Sequence, residues 1–212
     1  MLAEEYTLTE PTQREIITPL SALTKQTLYL GRILSLLSGN AGSKDALVFE
    51  PINMAVLTDE VVATFNPQTL DRTLITHYPP EPPYVRGDAG HLYVVLDNLV
   101  SNAVKYSKPQ SSITISIDHI EGQIGEDNGY LFISVMNDGS FIPPEEQEKI
   151  FNKFYRSPNS DQPGFGLGLY FVKCLIKIHD GLLGVESSAE GSTTFWFTLP
   201  RVESAPSKSY LE

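Results

Sequence analysis

Apolar residues recur near the start of the chain at Ile16, Leu20, Leu23, Leu30, Leu34 and Leu37, at spacings of 4, 3, 7, 4 and 3, with Thr27 in the gap. This is a heptad seam, one apolar stripe along a helix. Thr18 as N-cap and Pro19 as first helical residue would start it, and Gly39-Asn40 would end it. Two packings fit the stripe: against the helix's own domain, or in a bundle with another chain. Its place at the chain end, ahead of the Gly/Ser-rich Ser38–Ser43, favours the bundle.

From about Leu47 to Pro200 the pattern mixes two periods. Asn53–Phe65 and His91–Tyr106 read as helices. Ile113, Ile115 and Ile117 alternate with Thr114 and Ser116, which predicts a half-buried strand. Gly122–Asn128 reads as a hairpin loop and Tyr130–Met136 as the returning strand. Pro144–Phe154 is predicted as a short helix whose acidic first turn, Glu145 and Glu146, suits the helix dipole. Leu167–His179 is a further helix, closed by Asp180-Gly181, and Leu182–Ser187 with Thr193–Leu199 form a last hairpin around Glu190-Gly191. Helices on one face of a mixed sheet make an α+β two-layer sandwich, here preceded by one amphipathic helix. The expected divisions are 1–46 for the helix and linker, 47–203 for the sandwich and 204–212 for a disordered tail.

Composition narrows the function. With 41% apolar and 10% aromatic residues in 212, a sizeable core is available and wholesale disorder is excluded. No apolar run approaches the roughly 18 residues of a membrane span. The single cysteine, Cys174, leaves no intramolecular disulfide and argues against a zinc cluster; a reducing compartment is the simplest setting. Set among Phe171, Val172, Leu175 and Ile176, Cys174 is expected to be a small buried hydrophobe. A formal charge of −11 argues against a nucleic-acid surface, and any anionic ligand needs local donors against that field. His77, His91, His119 and His179 are scattered, without metal-ligand spacing.

The chemistry concentrates in four segments. In Leu96–Tyr106, residues Asn98, Asn102 and Lys105 recur at i, i+4 and i+7 and share a helix face, while Leu96, Leu99, Val100 and Ala103 share another. Two carboxamides and a lysine fit a phosphate-and-metal edge, since Asn offers Mg²⁺ a neutral oxygen and Lys a point charge; a plain solvated face fits too. Asn137-Asp138-Gly139 follows a strand, and Gly164-Phe165-Gly166-Leu167-Gly168 precedes a helix, where backbone N–H groups can face an anion. Between them Ile150–Arg156 carries Lys153 and Arg156, basic residues in an acidic chain.

These elements, in this order, resemble the catalytic ATP-binding domain of sensor histidine kinases, in the superfamily with gyrase, Hsp90 and MutL. The resemblance covers about Phe49 to Pro200. The helix motif is similar to the N box, Asn137–Gly139 to the G1 box, Ile150–Arg156 to the F box and Gly164–Gly168 to the G2 box, and Gly191–Phe195 looks like the closing turn and strand. It implies a mostly antiparallel sheet of the Bergerat type. It implies that Asn102 coordinates Mg²⁺, that Asn98 and Lys105 flank the phosphates, and that Arg156 with Gly164, Gly166 and Gly168 approaches the β- and γ-phosphates. Tyr106, Asn137, Gly139, Ile142, Phe154, Leu167, Leu169 and Thr194 would complete the nucleotide site, and Ser157–Pro163 would be its lid. ATP and Mg²⁺ are the implied cofactors. The implied partners are a second copy, joined through the N-terminal helix, and a response-regulator receiver domain. The setting would be cytoplasmic, in a full protein that could be membrane-anchored.

Two departures matter. The family's G1 box usually opens with an aspartate that accepts from the adenine amino group, and here Asn137 stands there, with Phe141 where glycine is common. The family phosphorylates a histidine in a His-(Glu/Asp)-x-x-(Thr/Asn)-Pro pattern, whereas Arg14–Pro19 imitates that pattern with an arginine that stays protonated. Either that site is degenerate, or Gln13–Ser38 is the second helix of the hairpin and the acceptor helix lies upstream. The short distance from Leu20 to Gly39 favours the second. An adaptor that kept the fold for docking is the alternative function. A conformational ATPase is disfavoured, because the position of its water-activating glutamate holds Asn98, a poor general base.

Overall fold

The computed structural model describes residues 48–65, 71–121, 129–158 and 165–202. The unit holding all of them begins at Val48. The heptad helix, the hairpin loop at 122–128, Gly164 and the tail lie outside the described residues.

The chain opens with strand β1 (Glu50–Asn53) and helix α1 (Met54–Ala63). Asn53 caps α1, its side chain accepting from the N–H groups of Ala55 and Val56 at 3.0 and 3.4 Å, a capping worth about 1 kcal/mol. Strands β2 (Thr73–His77) and β3 (Tyr84–Gly87) follow, then helix α2 (Ala89–Tyr106). Next come β4 (Ser112–Ile120), β5 (Tyr130–Asp138), the one-turn α3 (Pro144–Gln147), α4 (Gly168–Ile178), β6 (Leu183–Ser187) and β7 (Ser192–Pro200). Five strands form one sheet in the order β2-β4-β5-β7-β6. Only the β2–β4 pair is parallel, so the sheet is mixed and mostly antiparallel. β1 and β3 form a separate antiparallel ribbon.

Alternation along the long strands fixes which face is covered. Ile113, Ile115 and Ile117, Leu131, Ile133 and Val135, and Phe195, Phe197 and Leu199 are all buried on one side. Against them lie Leu92, Val95, Leu96, Leu99, Val100 and Ala103 of α2 and Phe171, Val172, Leu175 and Ile176 of α4. Truncating one of these, such as Leu99→Ala, would cost about 2–5 kcal/mol. The opposite face of the sheet carries Trp196, which stacks on Phe132 at 5.7 Å and lies so close over Gly184 that any side chain there would meet the indole.

The α+β sandwich is as expected, with instructive differences. The ribbon and the edge strand β2 carry no run of apolar alternation, so the pattern did not reveal them. The segment Pro144–Phe154 is not one helix. It is the short α3, a 3₁₀ turn over Lys149–Phe151, and then an extended Asn152. Phe154 takes a left-handed φ of 64°, which no helix continues through. Cys174 is only half-buried, and its side-chain interaction with Tyr170 one turn back raises the Tyr170 pKa. Finally, α2 starts two residues before His91, because Asp88 caps it by accepting from the His91 N–H at 2.9 Å.

His179 closes α4. It is 3% exposed. Its Nδ1–H donates to the Leu175 carbonyl at 2.8 Å, and its Nε2 accepts from the Asp88 N–H at 3.0 Å. That pair of bonds specifies a neutral imidazole of one tautomer, and burial accordingly holds its pKa below the ordinary 6.5. The C-terminus of α4 is thereby tied to the N-terminus of α2.

Candidate functional site

The far end of the same helix pair gathers the polar residues. Asn98, Asn102 and Lys105 are each half-buried on α2. Asn98 Nδ2 donates to the Val94 carbonyl one turn back at 2.7 Å, which turns its oxygen outward. That oxygen faces Gly168, the first residue of α4: a Cβ built there would stand 2.7 Å from Asn98 Oδ1. A methyl group there would have to displace the Asn98 side chain. No side chain caps the α4 N-terminus, so its first turn presents N–H groups without intrahelical partners beside the carboxamide. Lys105 Nζ lies over the Tyr106 ring, 5.3 Å from its centroid.

The end of β5 forms the second wall. Asn137 is 3% exposed and shares the helix-facing side with Val135. Gly139 bridges to Ser107 just past α2, and a Cβ at Gly139 would stand 2.6 Å from the Tyr106 carbonyl. The loop beyond is held by hydroxyls of the last hairpin. Ser187 Oγ accepts from the Ile142 N–H at 3.0 Å, Ser187 and Thr193 hydroxyls meet at 2.8 Å, and Thr193 donates to the Ser140 carbonyl at 3.2 Å. The Gly139 N–H donates to the Gly191 carbonyl at 2.8 Å. These bracing residues were not expected; nothing in the local sequence marks Ser187 or Thr193 apart from other strand hydroxyls.

The third wall is the joint between 152–156 and 165–168. The Phe154 N–H donates to the Gly166 carbonyl at 2.9 Å. Gly166 has φ +66°, and a Cβ on it would run into the Tyr155 carbonyl. Partial desolvation, and then the Glu146 carboxylate, push the Tyr155 phenol above its ordinary pKa. Phe154 is exposed, with Lys153 Nζ 5.1 Å from its ring centroid. Arg156 is exposed on the same strand of chain.

The structure therefore brings together Asn98 and Gly168, then Tyr106, Gly139, Asn137 and Ile142, and joins Phe154 to Gly166. Leu167 and Leu169 flank Gly168 and are half-buried, so they suit a wall. Thr194 does not join the others. It pairs across to Met136 and Glu186, both exposed, on the sheet face away from the helices. Its neighbour Thr193, buried at 4% exposure, lies opposite Asn137 on the helix-facing side. The physical reason is the two-residue period of the strand, which puts adjacent side chains on opposite faces. Phe141 stands at the rim, 43% exposed. A half-buried carboxamide at Asn102, one turn beyond Asn98 on the same helix face, fits Mg²⁺, which keeps most of its ligands as water and phosphate oxygens. Among the described residues no helix is long and apolar enough to cross a membrane.

Comparison with known proteins agrees with this geometry. Residues 87–203, more than half of the chain, match the family described as histidine kinase-, DNA gyrase B- and HSP90-like ATPase. The chain is 37% identical over 132 residues to the sensor histidine kinase WalK of Bacillus subtilis, covering 61% of this chain and 21% of WalK. It is 31% identical over 175 residues to the sensor protein kinase PmrB of Pseudomonas aeruginosa, covering 81% of this chain and 33% of PmrB. The chain thus spans a third or less of the length of these two curated relatives. Among solved structures, a mycobacterial sensor histidine kinase, MprB, superposes with a TM-score of 0.63 at 28% identity, over 73% of this chain and 98% of that one. The chain belongs to the histidine kinase-, DNA gyrase B- and HSP90-like ATPase family.

Proposed function

We propose that this chain is the ATP-binding catalytic module of a two-component sensor histidine kinase. The observation that carries the reading is the contact of Gly168 with Asn98, which sets an uncapped helix N-terminus beside the polar face of α2. A triphosphate needs that combination: N–H donors and a cation for its charge, and neutral oxygens for its metal. In this reading Asn102 holds Mg²⁺, which when bound neutralises phosphate charge. Asn98 and Lys105 flank the phosphates. Gly164, Gly166 and Gly168 let backbone N–H groups approach them, and Arg156 reaches the γ-phosphate. Tyr106, Ile142, Leu167 and Leu169 wall the nucleoside, with Asn137 and Gly139 at the base; Phe154 acts through the joint it makes with Gly166.

The reaction is transfer of the γ-phosphoryl to a histidine on a dimerisation helix. The imidazole nitrogen bonds to the γ-phosphorus, the bond to the β–γ bridging oxygen breaks, and ADP leaves with that electron pair. The module's part is positioning and charge neutralisation, which is most of what phosphoryl transfer requires. Residues 1–46 then serve as a partial dimerisation helix and linker, 47–203 as the catalytic domain, and a receiver-domain aspartate in the cytoplasm takes the phosphoryl group onward.

The test is isothermal titration with a non-hydrolysable ATP analogue, with and without Mg²⁺. Binding that needs Mg²⁺, and loses that need in Asn102→Ala, is the expected result. Absence of binding at millimolar ligand refutes the reading and leaves a docking adaptor.

A further inference from the structure

Asn137 is 3% exposed, yet no hydrogen bond among the described residues holds its carboxamide. It is not among the side-chain groups of the described residues that are both sealed from solvent and unpaired, so its carboxamide touches solvent and can meet a ligand. The carboxamide lies on the helix-facing side of β5. Its Nδ2 faces Gly139, on which a Cβ would strike it, and its strand neighbour is Thr193 of the loop brace. On the nucleotide reading above, from which this inference starts, the charge-handling groups cluster at Asn98, Lys105 and the first turn of α4. The other end offers the Tyr106 ring, the Ile142 side chain and this one amide. On that reading the base takes this end, its polar edge against Asn137.

Purines differ at that edge. A 6-amino purine presents an N–H donor at position 6, and a 6-oxo purine presents an acceptor. A carboxylate could only accept, so it would pair with the first and repel the second. A carboxamide does either: a half-turn about its terminal bond exchanges Oδ1 and Nδ2 in nearly the same volume. We infer that Asn137 makes the site tolerant at the purine 6-position, so that 6-oxo purine nucleoside triphosphates bind alongside ATP.

Inosine triphosphate is the cleanest probe, since it differs from ATP only around that position. Titrating the full chain with ATP and with ITP, both with Mg²⁺, should give dissociation constants within about tenfold of each other. Asn137→Asp should separate them, raising the ratio of ITP to ATP constants by on the order of hundredfold, because acceptor then faces acceptor. Asn137→Ala should weaken both ligands alike. A wild-type chain that binds ATP but holds ITP a hundredfold or more weaker overturns the inference and leaves the nucleotide reading standing. So does an Asn137→Asp variant that still binds ATP with the ratio unchanged, the outcome of a purely structural Asn137. Failure of both nucleotides to bind the wild-type chain overturns both readings.

Discussion

Helices α2 and α4 run antiparallel and meet twice, and the two meetings are built from opposite chemistry. At the Asp88–His179 end both ring nitrogens of His179 are used. One donates to Leu175 and the other accepts from Asp88, with the Phe49 ring stacked 5.1 Å away and Gly87 tucked beneath, where a Cβ would lie 2.7 Å from the imidazole. At the Asn98–Gly168 end the packing is equally close, but the helix N-terminus has no cap and Asn102 and Lys105 stay half-open. The first end fixes the angle of the pair. The second keeps a half-buried polar face of α2 open beside the first turn of α4, and that is what a ligand site requires.

This contrast can be broken from either side. The largest effect should come from His179→Ala, which strips a buried ring and leaves the Asp88 N–H and Leu175 carbonyl without it. A loss of about 3 kcal/mol is expected, read as a fall in Tm of roughly 6–12 °C. Affinity for an ATP analogue at a temperature where the variant is folded should not change; if it falls as well, the two ends are not separable. Asn102→Ala should do the reverse. We expect roughly hundredfold weaker binding in Mg²⁺, about 2.7 kcal/mol, with an unchanged melting curve in the absence of ligand. Gly168→Ala comes next: its methyl group must displace Asn98, and about a tenfold loss of affinity is expected, again by titration.

The smallest effect is acid sensitivity. Burial depresses the folded pKa of His179 below 6.5, so the unfolded chain takes up a proton that the folded chain refuses. Its contribution to stability is therefore present above pH 6.5 and is lost as pH falls below that value. Thermal melts from about pH 7.5 down to about pH 5.5 should show the decline, and His179→Ala should flatten it.

The two ends also differed in how readable they were. The polar face of Asn98, Asn102 and Lys105 follows from helical periodicity alone, and the sheet follows from the isoleucines of β4. The contacts that make a site of that face do not. Gly168 meets Asn98 across a long stretch of intervening chain, and no local pattern encodes that approach. His179 looked like one of four scattered histidines until its two partners were in place. Thr193 and Thr194 have the same sequence context, and only the strand's parity sets which of them faces the helices. Phe154 looked helical because apolar spacing cannot register a left-handed residue whose N–H is needed by Gly166.

That last bond has a consequence for engineering. The Phe154 N–H bond to the Gly166 carbonyl holds the two flanks of the intervening chain together. Closing a longer loop across that bond costs about 0.6 kcal/mol for each doubling of its length. A reporter peptide or a longer cover could be spliced there with little strain on the sheet. Cassette exchange at that point would leave every residue of the core as it is.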